Sequence, residues 1–159
     1  MDEFFKEDLI EIGLEVENQQ EIINHLGGIL FNKGYVDNSF CEAVIEREKE
    51  FATGLPVEPF GVAIPHTDAN HVKNSAVAIG ILAHPIPFGV MGGEGEIDVE
   101  IVFLMAIKDC VSQIAMLQSL AELVQNKSVM QKLRNIRDPK NASVLLNVEA
   151  SNLKYTAQK

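Results

Sequence analysis

Cysteine is scarce in this chain, positive charge is in deficit, and no long apolar run occurs. Each shortage removes a class of function. The two cysteines, Cys41 and Cys110, stand far apart without neighbours of metal-ligand type, which argues against a disulfide framework and for reduced thiols in the cytosol. Thirteen Lys and Arg face 23 Asp and Glu, a formal net charge of −10. A phosphate backbone demands a basic face, so nucleic acid is not an expected partner, and an anionic membrane surface is no more so. No apolar stretch reaches the ~18 residues of a membrane-spanning helix. The start, MDEFFKEDL, is acidic and reads as neither a secretory nor a mitochondrial leader, so a cytoplasmic protein without direct membrane insertion is expected. HExxH, GxSxG, GxxxxGK[ST] and GxGxxG are all missing, as are repeats and low-complexity segments.

What is present is material for one domain. Of 159 residues, 47% are hydrophobic and 23% charged, enough for a sizeable core. Ile12–Val16 alternates as a short strand, and Asn18 follows as a candidate N-cap. Ile22, Ile23, Leu26, Ile29 and Leu30 then recur at helical spacing up to Gly34. Asp37 or Ser39 opens a second helix that runs to Phe51 and stops near Gly54 and Pro56. Val62–Ile64, Ala76–Ala83 and Val99–Ile107 are nearly continuous apolar runs, as strands covered on both faces require. Between the last two, Pro85–Gly89 and Met91–Gly95 read as a turn-rich connection. Helical spacing returns from Ile114 to Val124, again from Ser128, and finally near Asn141–Val148. Polar Ser151–Lys159 is expected to fray. This order predicts an α/β fold, a three-layer α/β/α sandwich whose mixed central sheet is flanked by helices.

The residues most able to carry chemistry lie in GVAIPHTDANH. Pro65 suits a strand end, which places His66 on the loop leaving the strand. A neutral imidazole there is a competent nucleophile if one nitrogen faces outward and an acceptor holds the other. Residue physics alone also allows a surface or hydrogen-bonding histidine. His66 and His71 are not at the i, i+4 spacing of a zinc pair and no third ligand supports them, so no metal site is expected. GVMGGEGE lacks the lysine of a phosphate loop and reads as a turn. His25 and His84 read as structural or surface residues.

Gly61–Thr67 (GVAIPHT) followed by Val72–Ala76 (VKNSA) resembles the active-site signature of the enzyme IIA domains of the mannitol–fructose class. These belong to the phosphoenolpyruvate-dependent sugar phosphotransferase system. Glu46–Phe51 with Thr53-Gly54 resembles the arginine-bearing helix end upstream of that signature, and the pair of motifs is most similar to the galactitol-type branch. The resemblance covers roughly residues 5 to 147, with residues 1–150 as the domain and 151–159 as a tail. It implies a phosphotransferase without cofactor. His66 would take the phosphoryl group on Nε2 from HPr and pass it to a cysteine of enzyme IIB, which serves the membrane enzyme IIC during uptake of galactitol or a related polyol or sugar.

The resemblance further implies that Arg47 stands near the phosphoryl group, where its planar guanidinium suits bidentate contact. On spacing alone Arg47 is a solvated charge in an EREKE run. Many members of the class carry a second histidine on the helix after the last long strand. Gln113 occupies that place here, as in galactitol-type members, and an amide can donate to a phosphoryl oxygen or hold an imidazole but cannot titrate. His71 also matches a galactitol-type position. Pro65, Phe60 and Phe88 are the candidates for an apolar rim on which partners dock. The alternative is a regulatory relative of the nitrogen-branch type that signals through the same histidine. A hydrolase using His66 as a base would need a nucleophile or metal that the sequence does not offer.

Overall fold

A computed structural model describes residues 4–157. Its sheet is built from β1 (Ile10–Leu14), β2 (Gly54–Leu55), β3 (Gly61–Ala63), β4 (Ala76–Gly89) and β5 (Glu96–Ala106). Helices α1 (Gln19–Asn32) and α2 (Phe40–Glu50) separate β1 from β2, and α3 (Cys110–Leu123), α4 (Lys127–Asn135) and α5 (Pro139–Ala157) close the chain. The spatial order is β1-β4-β5-β3-β2. β1 runs parallel to β4 and β3 parallel to β5, whereas β4–β5 and β2–β3 are antiparallel. The sheet is therefore mixed, as the element order predicts.

Strand alternation sorts the core into two layers. Val62 and Ile64, Val77 and Ile79, and Ile101, Phe103 and Met105 face one side, where Leu120, Leu123, Met130, Leu133 and Leu146 of α3–α5 cover them. Ala63, Ala76, Ala78, Val102, Leu104 and Ala106 face the other, beneath Ile22, Ile23, Leu26 and Leu30 of α1 and Phe40 and Val44 of α2. Both faces of the central strands are buried, so their sequences read as unbroken apolar runs. Among the described residues no helix is long and apolar enough to cross a membrane.

Several sequence expectations shift in register. β1 begins two residues earlier than Ile12. At Gly13, in the left-handed region at φ +71, a bulge interrupts its pairing, so Ile10 and Ile12 pack on one layer and Leu14 on the other. Pro85–Gly89 is strand rather than connection. β4 advances from Ile81 to Ile86 while β5 moves only from Ile101 to Val99, and pairing then resumes through Pro87↔Asp98 to Gly89↔Glu96. β1 pairs with β4 no farther than Leu82, so the prolines stand on a stretch with a free edge, where a residue without an N–H is tolerated. The two-residue β2 escaped the pattern reading altogether. α5 also continues through Ser151 to Ala157 instead of ending near Val148, and residues 158–159 lie outside the described residues.

Candidate functional site

His66 sits just beyond the C-terminal end of β3. The Pro65 carbonyl accepts from the Met105 amide at 3.0 Å, which extends the pairing with β5 past the strand and fixes the backbone before the histidine. The imidazole is only 7% exposed, so it is less open than a loop position implies. Its Nδ1 lies 2.9 Å from the Ile64 carbonyl. A carbonyl only accepts, so Nδ1 carries the proton and Nε2 holds the lone pair. Nε2 has no partner among the described residues yet is not closed off from solvent. Burial pushes the imidazole below its ordinary value and the Arg47 charge adds to that, while the Ile64 hydrogen bond and the Asp68 charge pull the other way. The ring is neutral at neutral pH.

The imidazole lines a cleft of about 570 Å³. One wall is the end of α2, with Arg47 and Phe51, and another is the β4–β5 turn from Gly89 to Gly95, with Leu117 of α3 completing the boundary. The turn is held there because the Met91 amide donates to the Gly54 carbonyl at 2.8 Å. Gly54 has to be glycine for this approach: a Cβ on it would stand 2.5 Å from the Gly89 carbonyl oxygen. The glycine-rich stretch is thus a turn, as its sequence implies, and in addition a wall of the cleft.

Arg47 lies in the last turn of α2. Its guanidinium stacks over the Phe51 ring at 5.1 Å and approaches Asp68 at 3.9 Å. Its Nε is buried with no hydrogen-bond partner among the described residues. Gln113, in the first turn of α3, donates from Nε2 to the Thr67 carbonyl at 2.8 Å. The amide therefore grips the backbone next to His66 rather than the imidazole. The Asp109 carboxylate caps the same helix by accepting from the Ser112 amide at 2.7 Å. The structure brings His66 and Arg47 to one cleft and places Gln113 behind the His66 loop.

His71 is placed elsewhere. Its Nδ1 meets Ser39 Oγ at 2.8 Å, and its carbonyl accepts from the Asp37 amide at 3.0 Å, so it ties its loop to the start of α2, the end remote from Arg47. His84 is exposed, and His25 lies on α1 3.8 Å from Glu11. The expected rim is corrected: Pro65, Phe60 and Phe88 are buried, Phe88 completely, because β3 and β4 turn them into the core. Apolar surface at the cleft comes instead from Phe51, 59% exposed, and Met91, 38% exposed. Glu48 and Thr53 stand in the stretch that resembles the upstream motif, yet the sequence assigns neither a role; both are buried. Nothing in the charged run distinguishes Glu48 from its solvated neighbours.

Residues 3–148 match the family described as "Phosphoenolpyruvate-dependent sugar phosphotransferase system, EIIA 2". The chain belongs to this family. Its members are phosphotransferases, and so is this chain. Among its relatives is the galactitol-specific EIIA component of Escherichia coli K12, 27% identical over 124 residues that make up 78% of this chain and 83% of that protein. The transcriptional regulator ManR of Bacillus subtilis is 33% identical over 79% of this chain, a stretch that is only 18% of the regulator. Of solved structures, IIA mannitol from Escherichia coli in complex with phosphorylated enzyme IIB mannitol superposes with a TM-score of 0.74 at 23% identity, covering 88% of this chain and 94% of that one. The nitrogen regulatory protein IIA-Ntr of Neisseria meningitidis gives a TM-score of 0.71 at 21% identity, over 91% and 97%. These two likenesses concern the fold. The family works with EIIB components, as the mannitol complex illustrates.

Proposed function

We propose that this EIIA protein carries a phosphoryl group on His66 Nε2, taken from phospho-HPr and given to a cysteine of an enzyme IIB that serves a membrane enzyme IIC. The observation that carries the reading is the Nδ1–Ile64 hydrogen bond of 2.9 Å, which leaves Nε2 as the free lone pair at the cleft beside Arg47. In the first step that lone pair attacks phosphorus, the N–P bond to the donor histidine breaks, and the donor imidazole leaves. The His66 ring then bears the positive charge of a phosphorylated, Nδ1-protonated imidazole, which the Ile64 carbonyl stabilises. In the second step a cysteine thiolate attacks phosphorus, the Nε2–P bond breaks, and His66 returns to its neutral tautomer.

Such transfers pass through a loose transition state with charge on the equatorial oxygens, so catalysis is alignment and electrostatic stabilisation. Arg47 fits the second task. Its buried, unpartnered Nε belongs to a guanidinium that holds Asp68 only at long range. Gln113 aligns the nucleophile by holding the Thr67 carbonyl. Burial of the imidazole keeps it in the nucleophilic form. The kinship with the galactitol-specific component favours a polyol such as galactitol as the transported compound.

Incubation with phosphoenolpyruvate, enzyme I and HPr is expected to label the protein with acid-labile, base-stable phosphate, and His66→Ala to abolish the label. Labelling that survives this change would sink the assignment. Arg47→Lys keeps the charge but loses the planar guanidinium, so transfer should slow by about tenfold, short of the ~100-fold expected when a charge-stabilising donor is removed outright. The nitrogen-branch alternative is separated by the acceptor: passage of the label to an IIB cysteine marks the transport role.

A further inference from the structure

Glu48 is 6% exposed, next to Arg47 in the last turn of α2, and does not line the cleft. A carboxylate withdrawn from water is costly unless its oxygens are satisfied. Here one residue satisfies both. Oε2 accepts from the Thr53 amide at 2.7 Å and Oε1 from the Thr53 hydroxyl at 2.6 Å. Burial pushes this carboxyl up, and the two Thr53 hydrogen bonds pull it back. From Thr53 the contacts continue towards the nucleophile. The Thr53 carbonyl accepts from the Ile64 amide at 3.3 Å, and the Ile64 carbonyl holds His66 Nδ1 at 2.9 Å. One side chain thus fixes the segment joining Arg47 to the backbone group that sets the His66 tautomer.

We infer that Glu48, acting through Thr53, is a positioning residue that holds His66 in its Nδ1-protonated tautomer and sets the place of Arg47 against it. The coupling is mechanical, running from the Thr53 carbonyl to the Ile64 amide and from the Ile64 carbonyl to the imidazole. Glu48→Leu removes both acceptors at similar volume and leaves the Thr53 amide and hydroxyl unpartnered, whereas a glutamine could still accept from the amide and donate to the hydroxyl oxygen. Thr53→Val removes only the hydroxyl arm, and Thr53→Ser retains it.

The inference rests on the phosphocarrier reading for its kinetic consequence, but its structural core is testable without a phosphoryl donor. The ring nitrogens of His66 are followed by 15N NMR in the free protein, and kcat and KM for phospho-HPr are measured beside them. Glu48→Leu and Thr53→Val should each weaken the Nδ1–H signature. They should also lower kcat by about tenfold, less than the ~100-fold of an ångström-scale misplacement, with KM held within about twofold. Thr53→Ser should restore both readouts. If the variants melt earlier while tautomer and kcat stay as in the parent protein, Glu48 is only a clamp on the turn after α2 and the inference falls. Should Glu48→Leu fail to fold, Thr53→Val decides alone. If the parent protein accepts no phosphoryl group, the phosphocarrier reading fails, and the NMR comparison still decides the positioning role.

Discussion

At the scale of single residues, the charge state of His66 is the quantity on which the proposed chemistry turns. Burial is the dominant influence and lowers its pKa, so the folded ring resists a proton that the unfolded chain accepts near ~6.5. Between that value and the lower folded one, the unfolded state binds more protons, so stability rises with pH through the window and is lost on acidification. Below the folded value both states are protonated and the slope vanishes. Phosphoryl acceptance needs the neutral ring, so its acid limb should also lie below ~6.5. An NMR titration of the His66 ring checks this directly, and a midpoint at or above that ordinary value would contradict it. Asp68 is one of the groups that pull the value upward, so Asp68→Asn should move the midpoint and the acid limb further down together. The same change frees Arg47 from its 3.9 Å pairing.

At the scale of elements, the site depends on how three pieces of chain meet: the end of α2, the exit of β3 and the first turn of α3. Gln113 joins the last two. Gln113→Ala removes the 2.8 Å bond to the Thr67 carbonyl. The net loss should be about 1 kcal/mol, the usual worth of one neutral hydrogen bond. Denaturant unfolding measures that loss, and a slower transfer rate at unchanged KM would show that the loop, rather than docking, has loosened.

The helix itself was legible in the sequence, because apolar spacing announces it. Asn18 likewise caps α1 as its type predicts, accepting from the Glu21 amide. That His66 and Arg47 would meet at one place was legible through the motifs that contain them. The Gln113–Thr67 bond was not, since the partners stand far apart in sequence and the acceptor is backbone. Neither was the β4–β5 turn as a wall of the cleft, which depends on strand order. Pro85 and Pro87 misled for a related reason: proline signals a break unless the neighbouring strand stops short, and β1 does.

At the scale of the whole molecule, the proposed relay requires an acidic protein to recognise two partners in turn through one small region. Several large apolar side chains are exposed among the described residues, Phe31 on α1 included. Phe51 and Met91 stand at the cleft, and Val111 and Ile114 on the opening turns of α3, in the same helix half as Gln113. Val144 and Val148 lie one turn apart on α5, which lines no part of the cleft. Transient complexes need modest interfaces, and aromatic and methionine side chains adapt well to more than one surface. Replacing Phe51 and Met91 together by serine should raise KM for phospho-HPr and weaken passage to enzyme IIB in parallel. A rise of about tenfold corresponds to ~1.4 kcal/mol of lost binding. Both side chains are solvent-exposed, so thermal unfolding should hardly move. Serine at Val144 and Val148 provides the contrast, because an equal rise in KM there would place the docking face on α5 instead. Loss of transfer with KM unchanged in the cleft variant would mean that Phe51 acts chiefly by holding Arg47, whose guanidinium lies over its ring at 5.1 Å.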